Sequence, residues 1–184
     1  MPPFVLLGVV FLLTFHEIWD RDIFFHIAHG RALLEHGVPL RENLFVWAES
    51  ELPFYQNPAW LFGVLMAGLH GISGLDGVGL FKCLIFGLLY LILYRFLRGR
   101  QVEPVVATCF LFLIAMASSL RMNERPELFT FLFFGLLVWK LERYRQGGPF
   151  PWWLPGLFAL WANLHSGFIF GLIYLLLVLG GEGL

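Results

Sequence analysis

Asp20, Asp22, His26 and His29 crowd into the stretch WDRDIFFHIAHG, directly behind the apolar run PPFVLLGVVFLLTF. Residues of these types do one of two things. A positioned carboxylate takes the proton from a hydroxyl as a general base. A carboxylate pair holds a hard divalent cation, and an imidazole one turn on can join it. Two acids one residue apart cannot share a helical face, but at a loop-to-helix junction they can converge on one ion or one hydroxyl. Asp20 and Asp22 are therefore the candidate catalytic residues. Asp20, Asp22 and His26 are the candidate ligands for Mg²⁺ or Mn²⁺. The structural alternative has Asp20 capping a helix, Asp22 complementing its dipole, and the histidines lying at an interface.

Two further strips carry binding chemistry. RMNERPE holds Arg121 and Arg125 at i and i+4, a spacing that brackets an anion between two guanidinium forks. Its alternative is an interfacial anchor with Glu124 and Glu127 as salt partners. WANLHSG places Trp161, Asn163 and His165 between two apolar runs, in a loop too tight to hold them far from a bilayer. Asn and His at membrane depth line a polar cavity or face a partner helix. Trp161 is either a ring that stacks on a sugar or an ordinary interface aromatic. Lys82 lies inside an apolar run and must snorkel or pair, with Asp76 or a lipid phosphate as partner. These six residues, Arg121, Arg125, Trp161, Asn163, His165 and Lys82, are the candidate substrate-binding set.

The elements that must position them are helices in an apolar setting. The chain is 59% hydrophobic and 14% charged, with a mean hydropathy of +0.76. Soluble domains run near 45–50% apolar and about 25% charged, so the composition predicts an integral membrane protein. Net charge is −1 and offers nucleic acid nothing to hold. Cys83 and Cys109 both lie in apolar runs, so no disulfide framework is implied. The N-terminus has no basic region and no small-residue cleavage site, which predicts an uncleaved first helix.

Apolar runs of spanning length place crossings at 3–19, 75–97, 104–120, 126–142, 152–165 and 167–181. Gly74, Gly99, Pro104, Pro126 and Gly167 punctuate them. Segment 57–73 is short and carries His70, and it reads as a helix lying in the outer interface. Seven crossings with the N-terminus outside is the other arrangement. Residues 22–36 predict a helix, with Asp20 as its cap and Gly37 and Pro39 as its stop. Asp22, His26, His29 and His36 then form one stripe. Arg95, Arg98 and Arg100, and again Lys140, Arg143 and Arg145, mark cytoplasmic loops. The predicted fold is an all-α polytopic membrane helix bundle. It has about six spans, forms one domain over 1–184, and has an outer loop at 20–74 carrying amphipathic juxtamembrane helices. All three polar strips then share the outer face.

In order along the chain, the motifs are D-x-D-x₃-H at Asp20, Asp22 and His26, then Gly37 and Pro39, Trp60-Leu61, and Gly74 to Gly77. Arg125-Pro126 and W-A-N-L-H-x-G-F at Trp161 to Phe168 follow. This order resembles the N-terminal membrane module of bacterial GT-C-type glycosyltransferase-like membrane proteins. Their relatives include protein O-mannosyltransferases and lipid A aminoarabinose transferases. The resemblance implies sugar transfer from a polyprenyl-phosphate donor at the outer face of the inner membrane. It makes Asp20 or Asp22 the base or metal ligand of the first outer loop. It offers Glu124 or Glu127 as the acid of the second. GT-C enzymes have more spans than this chain, so a partial module within a larger architecture is expected. Two other classes remain. One is a non-catalytic accessory subunit of a membrane complex on the same scaffold. The other is a module or transporter that holds a lipid phosphate through Arg121 and Arg125. Membrane lipids, the lipid-linked donor and partner membrane subunits are the expected partners.

Overall fold

The computed structural model describes residues 3–18, 20–36 and 57–182. Among these the chain is all helix, with no strand, as the sequence predicts. The helices are α1 (Pro3–Thr14), α2 (Asp22–His36), α3 (Trp60–Gly99), α4 (Pro104–Ser118), α5 (Glu127–Arg145), α6 (Leu154–Leu164) and α7 (Phe168–Glu182). A 3-10 turn at Ser119–Arg121 follows α4. Gly37, Pro39 and the remainder of the outer-loop expectation at 37–56 lie outside the described residues.

Local sequence explains most boundaries. Asp20 Oδ1 accepts the N–H of Asp22 at 3.1 Å and so starts α2. Asn57 Oδ1 accepts the N–H of Ala59 at 2.9 Å just before α3. Glu103 caps α4 by accepting from Val105 and Val106, with Pro104 in the first turn, where its missing N–H costs nothing. Glu127 opens α5 and Arg143 and Arg145 close it, each complementing the helix dipole at its end. His165 turns fully extended, with φ −162° and ψ 141°, and ends α6.

Gly74 divides α3 with φ 64° and ψ −158°, a conformation open to glycine and strained for other residues. The break falls where the sequence places it. At about 1.5 Å per residue, the limb before Gly74 is about 21 Å long and the limb after it about 37 Å. Only the second matches a hydrocarbon core of about 30 Å.

Among the described residues two helices are long and apolar enough to cross a membrane: Trp60–Gly99, and α4 together with its 3-10 turn, Pro104–Arg121. The six predicted crossings are not matched by helix length. α1 has 12 residues, α6 has 11 and α7 has 15, against the roughly 20 a crossing needs. α1 ends at Thr14. α6 stops at the extended His165. α5 has 19 residues but carries Glu127, Lys140, Glu142, Arg143 and Arg145. The outward faces of α4 and α7 are apolar, with Val106, Phe110, Leu113, Phe170, Leu176 and Leu177 exposed.

α3 is the hub and packs on α1, α2, α4, α5 and α6. Its tightest crossing is with α2. A Cβ on Gly30 would sit 2.0 Å from Gly63 O, and one on Gly63 would sit 2.9 Å from His26 O. Two glycines therefore let the backbones touch. The same crossing reorders the predicted α2 stripe. Asp22 and His36 are exposed, whereas Ile23, Ile27, His29, Gly30 and Leu33 form the buried face. Gly30→Ala should therefore destabilise the protein by about 1–3 kcal/mol through overpacking. Gly68→Ala, with nothing within 4 Å of its Cβ, should stabilise it by up to about 1 kcal/mol. Thermal unfolding of both variants in detergent checks the pair; equal effects would remove the close crossing.

Candidate functional site

The end of α1, the start of α2 and the turn between α4 and α5 meet at one end of the helix set, held by a buried ion pair. Lys82 Nζ, from the second limb of α3, lies 2.5 Å from Glu124 Oε1, and each side chain is 1% exposed. Glu124 Oε2 is buried with no hydrogen-bond partner. His16, just past α1, places Nε2 3.5 Å from Lys82 Nζ. An ammonium only donates, so Nε2 accepts. His16 Nδ1 meets Glu17 O at 2.7 Å, which assigns the Nδ1–H tautomer. The partner of Lys82 is thus Glu124, and neither Asp76 nor a lipid phosphate is needed to explain its burial.

Glu124 fixed in this way directs its neighbour Arg125 onto the acids. Arg125 Nε donates to Asp20 Oδ2, and its Nη2 stands 3.3 Å from Asp22 Oδ2. Asp20 is buried and Asp22 is 66% exposed. The Arg125 hydrogen bond holds the Asp20 carboxyl below its ordinary range despite burial, and Asp20 in turn raises Arg125. Asp20 and Arg125 line a cleft of about 480 Å³ with His16, Ser119 and Asn123 and the apolar end of α1. Strips more than a hundred positions apart in sequence thereby supply one site.

The same contacts bear on a divalent cation. Asp20 gives Oδ1 to the Asp22 N–H and Oδ2 to Arg125. Burial pushes His26 down to about 4, with Asp22 pulling the other way. Its Nδ1 is buried without a partner, and its ring meets Phe62 edge-on at 5.0 Å. Among the described residues no three His, Cys, Asp or Glu side chains group as ligands. A cation on Asp20, Asp22 and His26 would have to displace a guanidinium from both acids, so the arrangement as it stands does not fit one.

The third strip forms its own cluster. Trp161 is 0% exposed; Phe158 stacks on it at 5.7 Å and Phe133 meets it edge-on at 5.9 Å. The ring is core and has no exposed surface for a sugar. Trp161 Nε1 donates to Thr130 Oγ1 at 2.9 Å, and Thr130 donates to His165 Nδ1 at 2.7 Å. The Gly167 N–H reaches the same Nδ1 at 3.1 Å, which leaves the ring proton on Nε2. Asn163 Oδ1 accepts from Trp60 Nε1 at 2.8 Å and ties α6 to the start of α3. His165 and Asn163 are half-buried beside these contacts.

Arg121 and Arg125 do not bracket a common anion. Residues 121–125 leave the helix, so the i,i+4 spacing has no helical meaning. Arg121 is exposed and lines an apolar groove of about 520 Å³ with Tyr90, Ser118, Thr130, Phe134 and Phe170. The site therefore gathers Asp20, Asp22, Arg125 and, behind them, Lys82. It leaves Arg121 on a separate groove and Trp161, Asn163 and His165 in a neighbouring network. Sequence reasoning passed over His16 and Thr130, and marked Trp60 only as part of a motif, without its tie to Asn163. Thr130 is a lone hydroxyl in an apolar run, and only its partners reveal its role.

No protein-family model matches this chain, and comparison with curated proteins and with solved structures gives no match either. The functional reading rests on the site.

Two measurements probe the site's construction. Lys82→Met strands a buried carboxylate and should cost about 3–5 kcal/mol, most of it recovered in the Lys82→Met/Glu124→Met double variant. No recovery would show that the pair does not hold the loop. For His26, the unfolded chain takes its proton near the ordinary 6.5 and the folded chain only near 4. Its contribution is complete above the first value and lost as pH falls toward the second. Stability should drop between about pH 7 and pH 5, by up to about 1.4 kcal/mol per unit, with a shallower drop in His26→Gln. Equal slopes in the two proteins would contradict the burial.

Proposed function

We propose that the chain is an integral membrane, GT-C-like glycosyltransferase module that transfers a sugar from a polyprenyl-phosphate donor. It works at the outer face of a bacterial inner membrane, as part of a polytopic bundle of about six spans. The observation that carries this is the meeting of Arg125 with two acids: Asp20, which lines the cleft with it, and the exposed Asp22. A base and an anion-binding cation then stand within reach of the same substrate. Two helices of spanning length and the exposed apolar faces of α4 and α7 support the membrane part of the reading.

Transfer is displacement at the anomeric carbon, with the polyprenyl phosphate leaving. Asp22 is exposed and held only at 3.3 Å by Arg125, so it takes the proton of the acceptor hydroxyl. Asp20 is buried and hydrogen-bonded at both oxygens, so it orients Arg125. The exposed part of that guanidinium faces the departing phosphate, and a preorganised cation stabilises the charge that develops there. Arg121 stands beside an apolar groove suited to an isoprenoid chain.

One observation favours a second reading. Arg125 already neutralises both acids, as it would in an idle scaffold serving as an accessory subunit of a membrane complex. A single variant separates the two. Asp22→Asn should lower transfer from a matched lipid-linked donor by about 10²–10⁴-fold, with an unchanged thermal midpoint in detergent. Full transfer in that variant removes Asp22 from the mechanism. Stable co-purification with a membrane partner, unaffected by the variant, establishes the accessory role.

A further inference from the structure

The opposite end of the molecule carries a second arrangement of charge. α3 and α5 pack together, and their C-terminal turns enclose a hollow of about 260 Å³ whose walls include Arg95, Phe96, Arg100, Trp139, Glu142 and Arg143. The hollow has one acid, and that acid is already engaged. Glu142 Oε1 accepts from Arg100 at 2.6 Å and from Gln146 at 2.9 Å, and its Oε2 lies 3.7 Å from Arg145. Arg95 and Arg143 are exposed and have no hydrogen-bond or ion-pair partner among the described residues. The hollow therefore has spare positive charge and planar donors.

We propose that this hollow binds the phosphate of an anionic phospholipid headgroup. The inference rests on the membrane reading above and is independent of the sugar chemistry. Basic residues that merely mark a cytoplasmic loop, or answer a helix dipole, have no reason to line a common concavity. Here three guanidinium groups do. Their forks match phosphate oxygens better than ammonium groups would. Basic pockets between spanning helices are the kind of site that takes anionic headgroups. Trp139 adds an aromatic wall, and Lys140 Nζ lies 4.6 Å from its ring centroid. The hollow has room for a headgroup and none for acyl chains, which stay in the bilayer.

The test uses the full chain in phosphatidylcholine nanodiscs with and without phosphatidylglycerol, with native mass spectrometry of the lipid retained on release. The wild-type protein should retain phosphatidylglycerol in preference to phosphatidylcholine. Arg95→Gln/Arg143→Gln should reduce that preference roughly 10–30-fold, the size expected for two lost cationic contacts. Arg31→Gln, far from the hollow, should leave it unchanged. Equal retention of the two lipids by the wild type, or an unchanged preference in the double variant, overturns the proposal. A thermal shift with inorganic phosphate in detergent, lost in the double variant and without lipid preference, reassigns the hollow to a soluble anion and overturns it too. Release of the chain from membranes by alkaline carbonate sinks the membrane reading and the lipid site with it. Retention of the chain without headgroup preference sinks the lipid site alone.

Discussion

A lysine and a glutamate, each almost fully shielded from water, meet behind the cleft, and the remainder of the site depends on them. Taking either charge out of water alone costs several kcal/mol. Their attraction repays that only when they face one another closely, as Lys82 and Glu124 do at 2.5 Å. An apolar pair of similar volume would be about as stable. What the ion pair adds is exclusion of alternatives, because a turn that slid along α3 would leave two buried charges alone. Glu124 lies in the turn between α4 and α5, so the pair fixes that turn against α3, and the direction of Arg125 follows.

Arg125 then has two opposed effects. It holds Asp20 and Asp22 to one guanidinium, a closeness that two carboxylates would otherwise resist by mutual repulsion. It also occupies the oxygens that chemistry would use. Asp20 is held at both oxygens and buried, whereas Asp22 is exposed and touched at 3.3 Å. The two acids are therefore unequal by environment, although they are one residue apart and identical in type. A phosphate arriving at Arg125 competes with Asp22 before it competes with Asp20. In the glycosyltransferase reading, that order couples arrival of the donor to release of the base.

The neighbouring network shows how an apolar bundle satisfies polar groups without water. Trp161 donates to Thr130 and Thr130 to His165 Nδ1, where the Gly167 N–H converges from the other side. Trp161 can only donate, so Thr130 must donate onward, and Nδ1, accepting from Thr130 and from Gly167, leaves the imidazole proton on Nε2. The tie between Asn163 and Trp60 fastens the same turn to the start of α3. The far ends of α3 and α5 carry arginine around a hollow, so the two ends of the bundle differ in both charge and construction.

The sequence alone determined the helical class, the bounds of 22–36, the break at Gly74 and the importance of the WDRD and RMNERPE strips. Each is a local matter. Apolar runs, caps, prolines and a glycine at positive φ act within a few residues and can be read in one dimension. Partnership is different. Lys82 reads as a charge seeking Asp76 or lipid, and only the packing of α3 against the α4–α5 turn gives it Glu124. Arg121 and Arg125 read as a matched pair, and only the loss of helix after Ser119–Arg121 sends them to different cavities. Trp161 reads as a sugar platform until Phe133 and Phe158 cover it. His29 reads as part of an outward stripe until the close approach of Gly30 and Gly63 turns that face inward. Helix length also lay beyond the apolar pattern. α1 ends at Thr14, inside a run predicted to continue to residue 19. Burial and pairing depend on which distant segments come into contact, and side-chain identity along the chain does not specify that.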